Sequence, residues 1–211
     1  LLAPTLSHAG SILFTDVSET SGITFVHHTG AQGNWHYLET MGSGCALFDS
    51  DGDGDLDLYL VNGANLPRQP PTGTNALFEN ITNSNIRFTE ITQKAEVPGR
   101  GYGMAATVGD SDNDGDLDLY VTGYPENILY QNNGDNTFTD ISKQAGVSAS
   151  GWCAGAAFFD SDNDGDLDLY VVRYLTYNPL REPVCERSEI RTYCAPFRFQ
   201  GAPDLLFQND G

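Results

Sequence analysis

Fifteen of the 20 aspartates in this 211-residue chain fall in three nine-residue windows, Asp49 to Asp57, Asp110 to Asp118 and Asp160 to Asp168. Every odd position of each window is aspartate: Asp49, Asp51, Asp53, Asp55 and Asp57; Asp110, Asp112, Asp114, Asp116 and Asp118; Asp160, Asp162, Asp164, Asp166 and Asp168. Carboxylates packed this densely repel one another, and must be protonated, splayed into water or neutralised by cations. Side chains at positions one, three, five and nine converge on one point if the backbone curls sharply between them. Glycine at position six (Gly54, Gly115, Gly165) permits that curl. Position seven then offers its backbone carbonyl. Such an all-oxygen, flexible shell suits calcium, with its six to eight ligands; magnesium wants stricter geometry and zinc wants nitrogen or sulfur. The expectation is about three calcium ions, which take the formal charge from -19 to about -13.

Two other readings of these windows fail. An EF-hand loop opens in the same way but needs a bidentate glutamate at position twelve, where this chain has Leu60, Val121 and Val171. A merely polar turn is always possible for Asp and Gly, yet three near-identical copies argue for a common ligand. The leucine at position eight (Leu56, Leu117, Leu167) is expected to point inward and anchor each loop.

The elements that position the loops recur with them. A Gly/Ala-rich run precedes each loop, and an alternating run of the type Leu167-Asp-Leu-Tyr-Val-Val172 follows it. Then come Ala76-Leu-Phe-Glu-Asn80, Ile128-Leu-Tyr-Gln-Asn132 and Leu205-Leu-Phe-Gln-Asn209. The last element is Phe14-Thr-Asp-Val17, Phe88-Thr-Glu-Ile91 and Phe138-Thr-Asp-Ile141. Period-two alternation and Asn/Gly turns make these strands. Four short strands in about 50 residues match one blade of a β-propeller, while a parallel β-helix would need shorter, more uniform rungs. The fold class is therefore all-β, with about three full four-stranded blades and partial ones spanning 10–211, interrupted by an insertion at 173–203. Small residues before each loop suit an innermost strand near a converging axis.

Composition sets limits on the rest. Hydrophobic residues make up 39% of the chain, enough for a core. Ten scattered Lys and Arg form no basic stripe, so nucleic acid is not an expected partner. No apolar run approaches the ~20 residues of a membrane span. Residues 1–9 end in Ser7-His8-Ala9, a small-x-small pattern that reads as the remnant of a signal peptide. Cys185 and Cys194 stand nine apart in a Pro-rich stretch, where a disulfide would staple the insertion; Cys45 and Cys153 suit buried free thiols. His27, His28 and His36 flank Trp35 and Tyr37 and read as loop residues. Glu182, Glu186 and Glu189 alternate with Arg181, Arg187 and Arg191 and read as surface ion pairs. Asn80-Ile-Thr82 is an N-glycosylation acceptor pattern.

The aspartate hairpins with their Gly/Ala-rich approach strands resemble FG-GAP/VCBS repeats. Three further stretches resemble the ASPIC/UnbV, cartilage-acidic-protein-like group: Phe14-Thr-Asp-Val-Ser18, Leu38-Glu-Thr-Met-Gly-Ser-Gly44, and Tyr193-Cys-Ala-Pro196 leading to Pro203-Asp-Leu-Leu-Phe-Gln-Asn209. The resemblance implies a propeller of about seven blades in a secreted, periplasmic or cell-surface setting, with calcium-binding and adhesion-related roles. No constellation of acid, base and nucleophile stands out beyond the loops. The expected function is thus a non-enzymatic, calcium-stabilised scaffold that presents a surface to a protein or glycan. The alternatives are a substrate-binding part of a polysaccharide-active enzyme and self-association through unpaired blade edges.

Overall fold

The computed structural model describes residues 12–66 and 73–211. The segment read as a signal remnant lies outside them. Three antiparallel sheets follow one another along the chain, each a simple meander. The first contains β1 (Cys45–Phe48), β2 (Asp57–Leu60), β3 (Ala76–Asn80) and β4 (Phe88–Glu90). The second contains β5 (Tyr102–Gly109), β6 (Asp118–Tyr124), β7 (Ile128–Asn132) and β8 (Phe138–Asp140). The third begins with β9 (Cys153–Phe159) and β10 (Asp168–Arg173) and is completed, after the insertion, by β15 (Leu205–Phe207). Because every pairing is antiparallel, the β-helix alternative is excluded for these residues.

Alternation along the strands explains how the sheets stack. On β6, Leu119 and Val121 face the first sheet, where they join Phe48, Tyr59, Val61 and Leu77 in one core. Tyr120 faces the other way, towards Leu169 and Val171 of the third sheet. The second sheet is therefore buried on both faces, as its continuous run of buried positions on β6 reflects. Beside the first strands of the first two sheets, β1 and β5, the backbones draw close: the Gly44 amide donates to the Met104 carbonyl at 2.7 Å. A Cβ added at Gly44 would stand 3.1 Å from the Ala105 Cα, so the small residues there keep the sheets in contact.

A repeated polar pin sits in this apolar core. Tyr59 donates to the Val97 carbonyl (3.0 Å) and accepts from the Asn75 side chain (2.8 Å). Tyr120 does the same with Val147 (2.8 Å) and Asn127 (2.9 Å). In the third sheet Asp204 takes the place of the asparagine, and Tyr170 donates to it at 2.9 Å. Buried hydroxyls need such partners, and burial pushes the phenols of Tyr59 and Tyr120 well above their ordinary range.

Four sequence expectations need correction. Phe14 to Val17 forms no strand; it is exposed and leads into a helical turn at Ser18–Ser21, because no third strand lies beside it to pair with among the described residues. Leu56 is exposed rather than inward, since no sheet covers that face, whereas Leu117 packs on the core between the first two sheets. Cys45 is an exposed thiol for the same reason; Cys153 is buried as expected. Glu182 is not in a surface ion pair but is a buried anchor.

That anchor joins the insertion at 173–203 to the segment of His36 and Tyr37. The insertion holds two small strand pairs, β11 (Leu175–Thr176) with β14 (Gln200–Gly201), and between them β12 (Cys185–Arg187) with β13 (Ile190–Thr192). Glu182 accepts from His36 Nδ1 (2.9 Å), the Tyr37 amide (2.6 Å) and the Tyr177 hydroxyl (2.8 Å). Around it Trp152, fully buried, meets Tyr174 and Tyr177 edge-on at 5.2 Å. The Cys185–Cys194 disulfide closes the β12–β13 hairpin. Loop closure over nine residues constrains the unfolded chain by about 2–3 kcal/mol. Reduction is therefore expected to make 173–203 at least about ten times more sensitive to limited proteolysis, with the melting of the sheets little changed. Unaltered cleavage would mean that the Glu182 anchor alone holds the insertion.

Candidate metal centres

Each aspartate window is the hairpin loop between the first two strands of its sheet, so β-pairing brings its ends together. The pairs Phe48 with Asp57, Gly109 with Asp118 and Phe159 with Asp168 close the three hairpins. Inside each loop two residues adopt the left-handed region. One is the glycine at position six, as the sequence predicts (φ +95° at Gly54, +101° at Gly115, +99° at Gly165). The other is position four, occupied by Gly52, Asn113 and Asn163 (φ +74°, +59° and +63°). Gly takes this conformation freely, and Asn at less cost than most residues. The restriction of position four to Gly or Asn was a readable signal that sequence reasoning missed.

With the backbone wound this way, carboxylate oxygens of positions one, three and five converge. Asp49, Asp51 and Asp53 bring one oxygen each within 4.8 Å of one another, as do Asp110, Asp112 and Asp114, and Asp160, Asp162 and Asp164. Position one also holds the loop from within. Asp49 accepts from the amides of Gly52 (2.8 Å), Asp53 (3.2 Å) and Gly54 (2.9 Å). Asp110 and Asp160 accept from Gly115 (3.0 Å) and Gly165 (3.2 Å) in the same way.

Position nine behaves differently. Asp57, Asp118 and Asp168 are almost fully buried. The Oδ2 of Asp57 accepts from the Ser50 amide (2.9 Å) and hydroxyl (2.5 Å), and its Oδ1 from the Asn80 amide (2.7 Å). Asp118 repeats this with Ser111 and Asn132, and Asp168 with Ser161 and Asn209. Of about four lone-pair directions on a carboxylate, three are thus taken. Position nine is a latch between the loop and the third strand, and has one direction left for a metal. The position-seven side chain is not among the three converging carboxylates of each loop; that of Asp166 accepts from Asn113 of the preceding loop (2.6 Å).

The electrostatics follow the packing. Burial, then the charges of Asp53, Asp57, Asp51 and Asp49, push the Asp55 carboxyl above the ordinary carboxylate range. Asp162 is raised by burial and by Asp164. Asp118 is raised by burial against the pull of its Ser111 and Asn132 bonds, whereas at Asp168 the Ser161 hydroxyl bond dominates and holds the carboxyl low. These residues fit a cation. The donors are all oxygens, and Asp55 Oδ1 is sealed from solvent with no hydrogen-bond donor in reach. An anionic oxygen surrounded by carboxylates is satisfied by a divalent ion.

A family model described as an FG-GAP-like repeat matches residues 49–121 and again 112–171, together more than half of the chain. This chain belongs to the FG-GAP-like repeat family. No curated protein matches it. The two matches of the FG-GAP-like model span all three loops. Such repeats are typical of extracellular adhesion and binding domains, and the disulfide is consistent with that setting. Among the described residues no helix is long and apolar enough to cross a membrane.

The remaining sequence candidates fall elsewhere. His27 bonds Ser43 (2.9 Å) and His28 bonds Asn65 (3.0 Å), while His36 is buried against Glu182; they do not converge. Arg191 donates to the Asn34 carbonyl (2.8 Å) rather than to a glutamate. The Asn80 side chain donates to the Leu56 carbonyl (3.1 Å) and accepts from the Thr82 amide (3.1 Å), so a sugar there would have to break a loop contact.

Proposed function

We propose that this chain is a non-catalytic, calcium-stabilised scaffold of a secreted, periplasmic or cell-surface protein, and that its sheets are consecutive blades of a β-propeller. The observation that carries the reading is the convergence of three oxygen-only carboxylate triads, one at the same hairpin of each sheet. In each, the aspartates at positions one, three and five would hold calcium, and position nine would add its remaining lone pair. Calcium would supply the positive charge that lets these carboxylates stay ionised and close together.

The propeller reading is supported by what the two outer faces resemble. Tyr170, Val172 and Leu206 are partly exposed on the third sheet, and they occupy the places of Tyr59, Val61 and Leu77, which the second sheet buries. Leu47 and Leu56 on the first sheet likewise match Val108 and Leu117, which pack on a core. Further blades of the same kind would cover both faces, as in the ASPIC/UnbV-like propellers that the sequence resembles. The insertion at 173–203 would present the binding surface for a protein or glycan. Beside it lies a cavity of about 600 Å³, whose lining includes Tyr102, Tyr124 and Tyr177 together with Arg100 and Glu126. Aromatic faces with a few charged groups suit such ligands.

The test is metal stoichiometry. Protein equilibrated with calcium, desalted and analysed by mass spectrometry for bound metal is expected to carry about three calcium ions per chain. A chain that retains none would remove the basis of this reading.

A further inference from the structure

The cavity beside the insertion has a chemistry of its own. It holds about 600 Å³, room for a small ligand or a few residues of a peptide. One part of its wall is the turn between β6 and β7, with Tyr124, Pro125 and Glu126. Another is the run after β11, with Tyr177, Asn178, Pro179 and Leu180. The two tyrosine rings meet edge-on, 5.3 Å apart and 80° from parallel. The Tyr177 hydroxyl is spent on Glu182 (2.8 Å), so at the cavity this residue offers its ring. Proline in both segments adds stiff apolar surface. Leu180 is 78% exposed, an apolar side chain without cover.

The polar groups of the lining are only partly engaged. Asn178 Oδ1 accepts from the Leu180 amide (2.9 Å), and Asn65 Oδ1 bonds the His28 ring (3.0 Å). Nothing among the described residues accepts from either Nδ2, so both amides keep their donors for a ligand. Arg100 donates to Asp140 and stands 4.0 Å from Glu126. Two carboxylates against one guanidinium leave this corner negative, in a chain of net charge -19. Glu126 itself is half-exposed.

These features select among ligands. Anions are repelled. Amide donors call for carbonyl acceptors, and a proline-rich peptide in the polyproline conformation carries its carbonyls unpaired and its rings ready for aromatic surfaces. A basic side chain beside the prolines would meet Glu126. Sugar hydroxyls need donors and acceptors on every side, whereas tyrosine, proline and leucine make up much of this wall. We propose that the cavity binds a basic, proline-containing peptide segment of a partner protein, seated against Tyr124 and Tyr177 with its cationic side chain at Glu126. The inference rests on the scaffold reading above and narrows its ligand from protein or glycan to one kind of peptide.

The experiment is fluorescence polarisation of calcium-loaded protein with a labelled Pro-Pro-Arg-Pro-Pro-Arg peptide, at about 0.15 M salt so that distant charges are screened. A saturable rise is expected below about 1 mM protein, and none with Pro-Pro-Glu-Pro-Pro-Glu. Tyr124→Ala is expected to weaken binding at least about tenfold, since aromatic anchors carry much of such an interface. Glu126→Gln, the second variant, sits at an exposed position and is expected to weaken it about two- to fivefold. Circular dichroism checks that both variants fold. Glu19→Gln, outside the cavity lining, is expected to change nothing. No saturable binding, unchanged binding by Glu126→Gln, or an equal loss in Glu19→Gln would overturn the proposal. So would displacement of the peptide by the neutral oligosaccharide cellohexaose. Bound calcium, measured on the same samples, keeps the two readings apart. Calcium-loaded protein that ignores the peptide overturns this proposal alone, whereas protein that retains no calcium overturns the scaffold reading.

Discussion

Excess EDTA is expected to lower the melting temperature of this protein by roughly 15–30 °C. Binding to the folded chain alone at about 100 times the dissociation constant contributes about 2.7 kcal/mol per site. Three sites then contribute about 8 kcal/mol, as much as the whole net stability of many domains. For a chain of this size each kcal/mol is worth about 2–4 °C. The loops explain the dependence: without a cation, five aspartates in nine residues are held together by β-hairpins that fix both ends. The pH response should reverse with metal. The raised carboxyls of Asp55, Asp118 and Asp162 bind protons more readily folded than unfolded, so their contribution is present below about pH 4 and lost as pH rises through their folded values. Metal-free protein should therefore melt higher near pH 4 than at pH 8. The lowered carboxyls of Asp168 and Asp140 oppose this only below about pH 4. With calcium bound, protons compete with the ion and acid should lower the melting temperature. Differential scanning calorimetry at both pH values, with and without EDTA, checks both parts. Equal melts with and without EDTA would show that the metal is not structural.

Asn132→Ala is expected to cost about 3 kcal/mol and to loosen the contact between the first two sheets. Asn132 is buried, and its side chain donates to the Ser50 carbonyl of the preceding loop (3.1 Å) and to the Leu117 carbonyl of its own (3.3 Å). Its Oδ1 accepts from the Gly134 amide (3.1 Å). Truncation strands buried backbone groups at about 1–3 kcal/mol each. Asn209 makes the same bridge one sheet later, to Ser111 (2.9 Å) and Leu167 (3.4 Å). Asn80 reaches only Leu56 of its own sheet and is partly exposed, so Asn80→Ala should cost about 1 kcal/mol or less. Urea denaturation of the two variants compares them directly. Equal losses would mean that the inter-sheet bond contributes nothing beyond the local turn.

The loops, the strands that frame them and their order were legible in the sequence, because these are local matters. Period-two alternation fixes which side of a strand is apolar, and glycine at position six marks the turn that gathers the aspartates. The Cys185–Cys194 pairing was readable because only nine positions separate the two cysteines within one irregular stretch. Contacts between sheets were not legible, since they depend on which repeats come to lie side by side. Leu56 and Leu117 occupy the same place in the repeat, yet one is exposed and the other packed, because only one has a sheet over it. Position nine appeared to be an ordinary ligand until the Ser and Asn donors were placed around it. Glu182 became a buried anchor only when the chain brought His36 and Tyr37 across 145 positions to meet it. By itself the sequence determined three acidic hairpins on repeated β-sheets. The tertiary structure decided which carboxylates remain free for a cation, because hydrogen-bond saturation and burial are properties of neighbours brought together by packing.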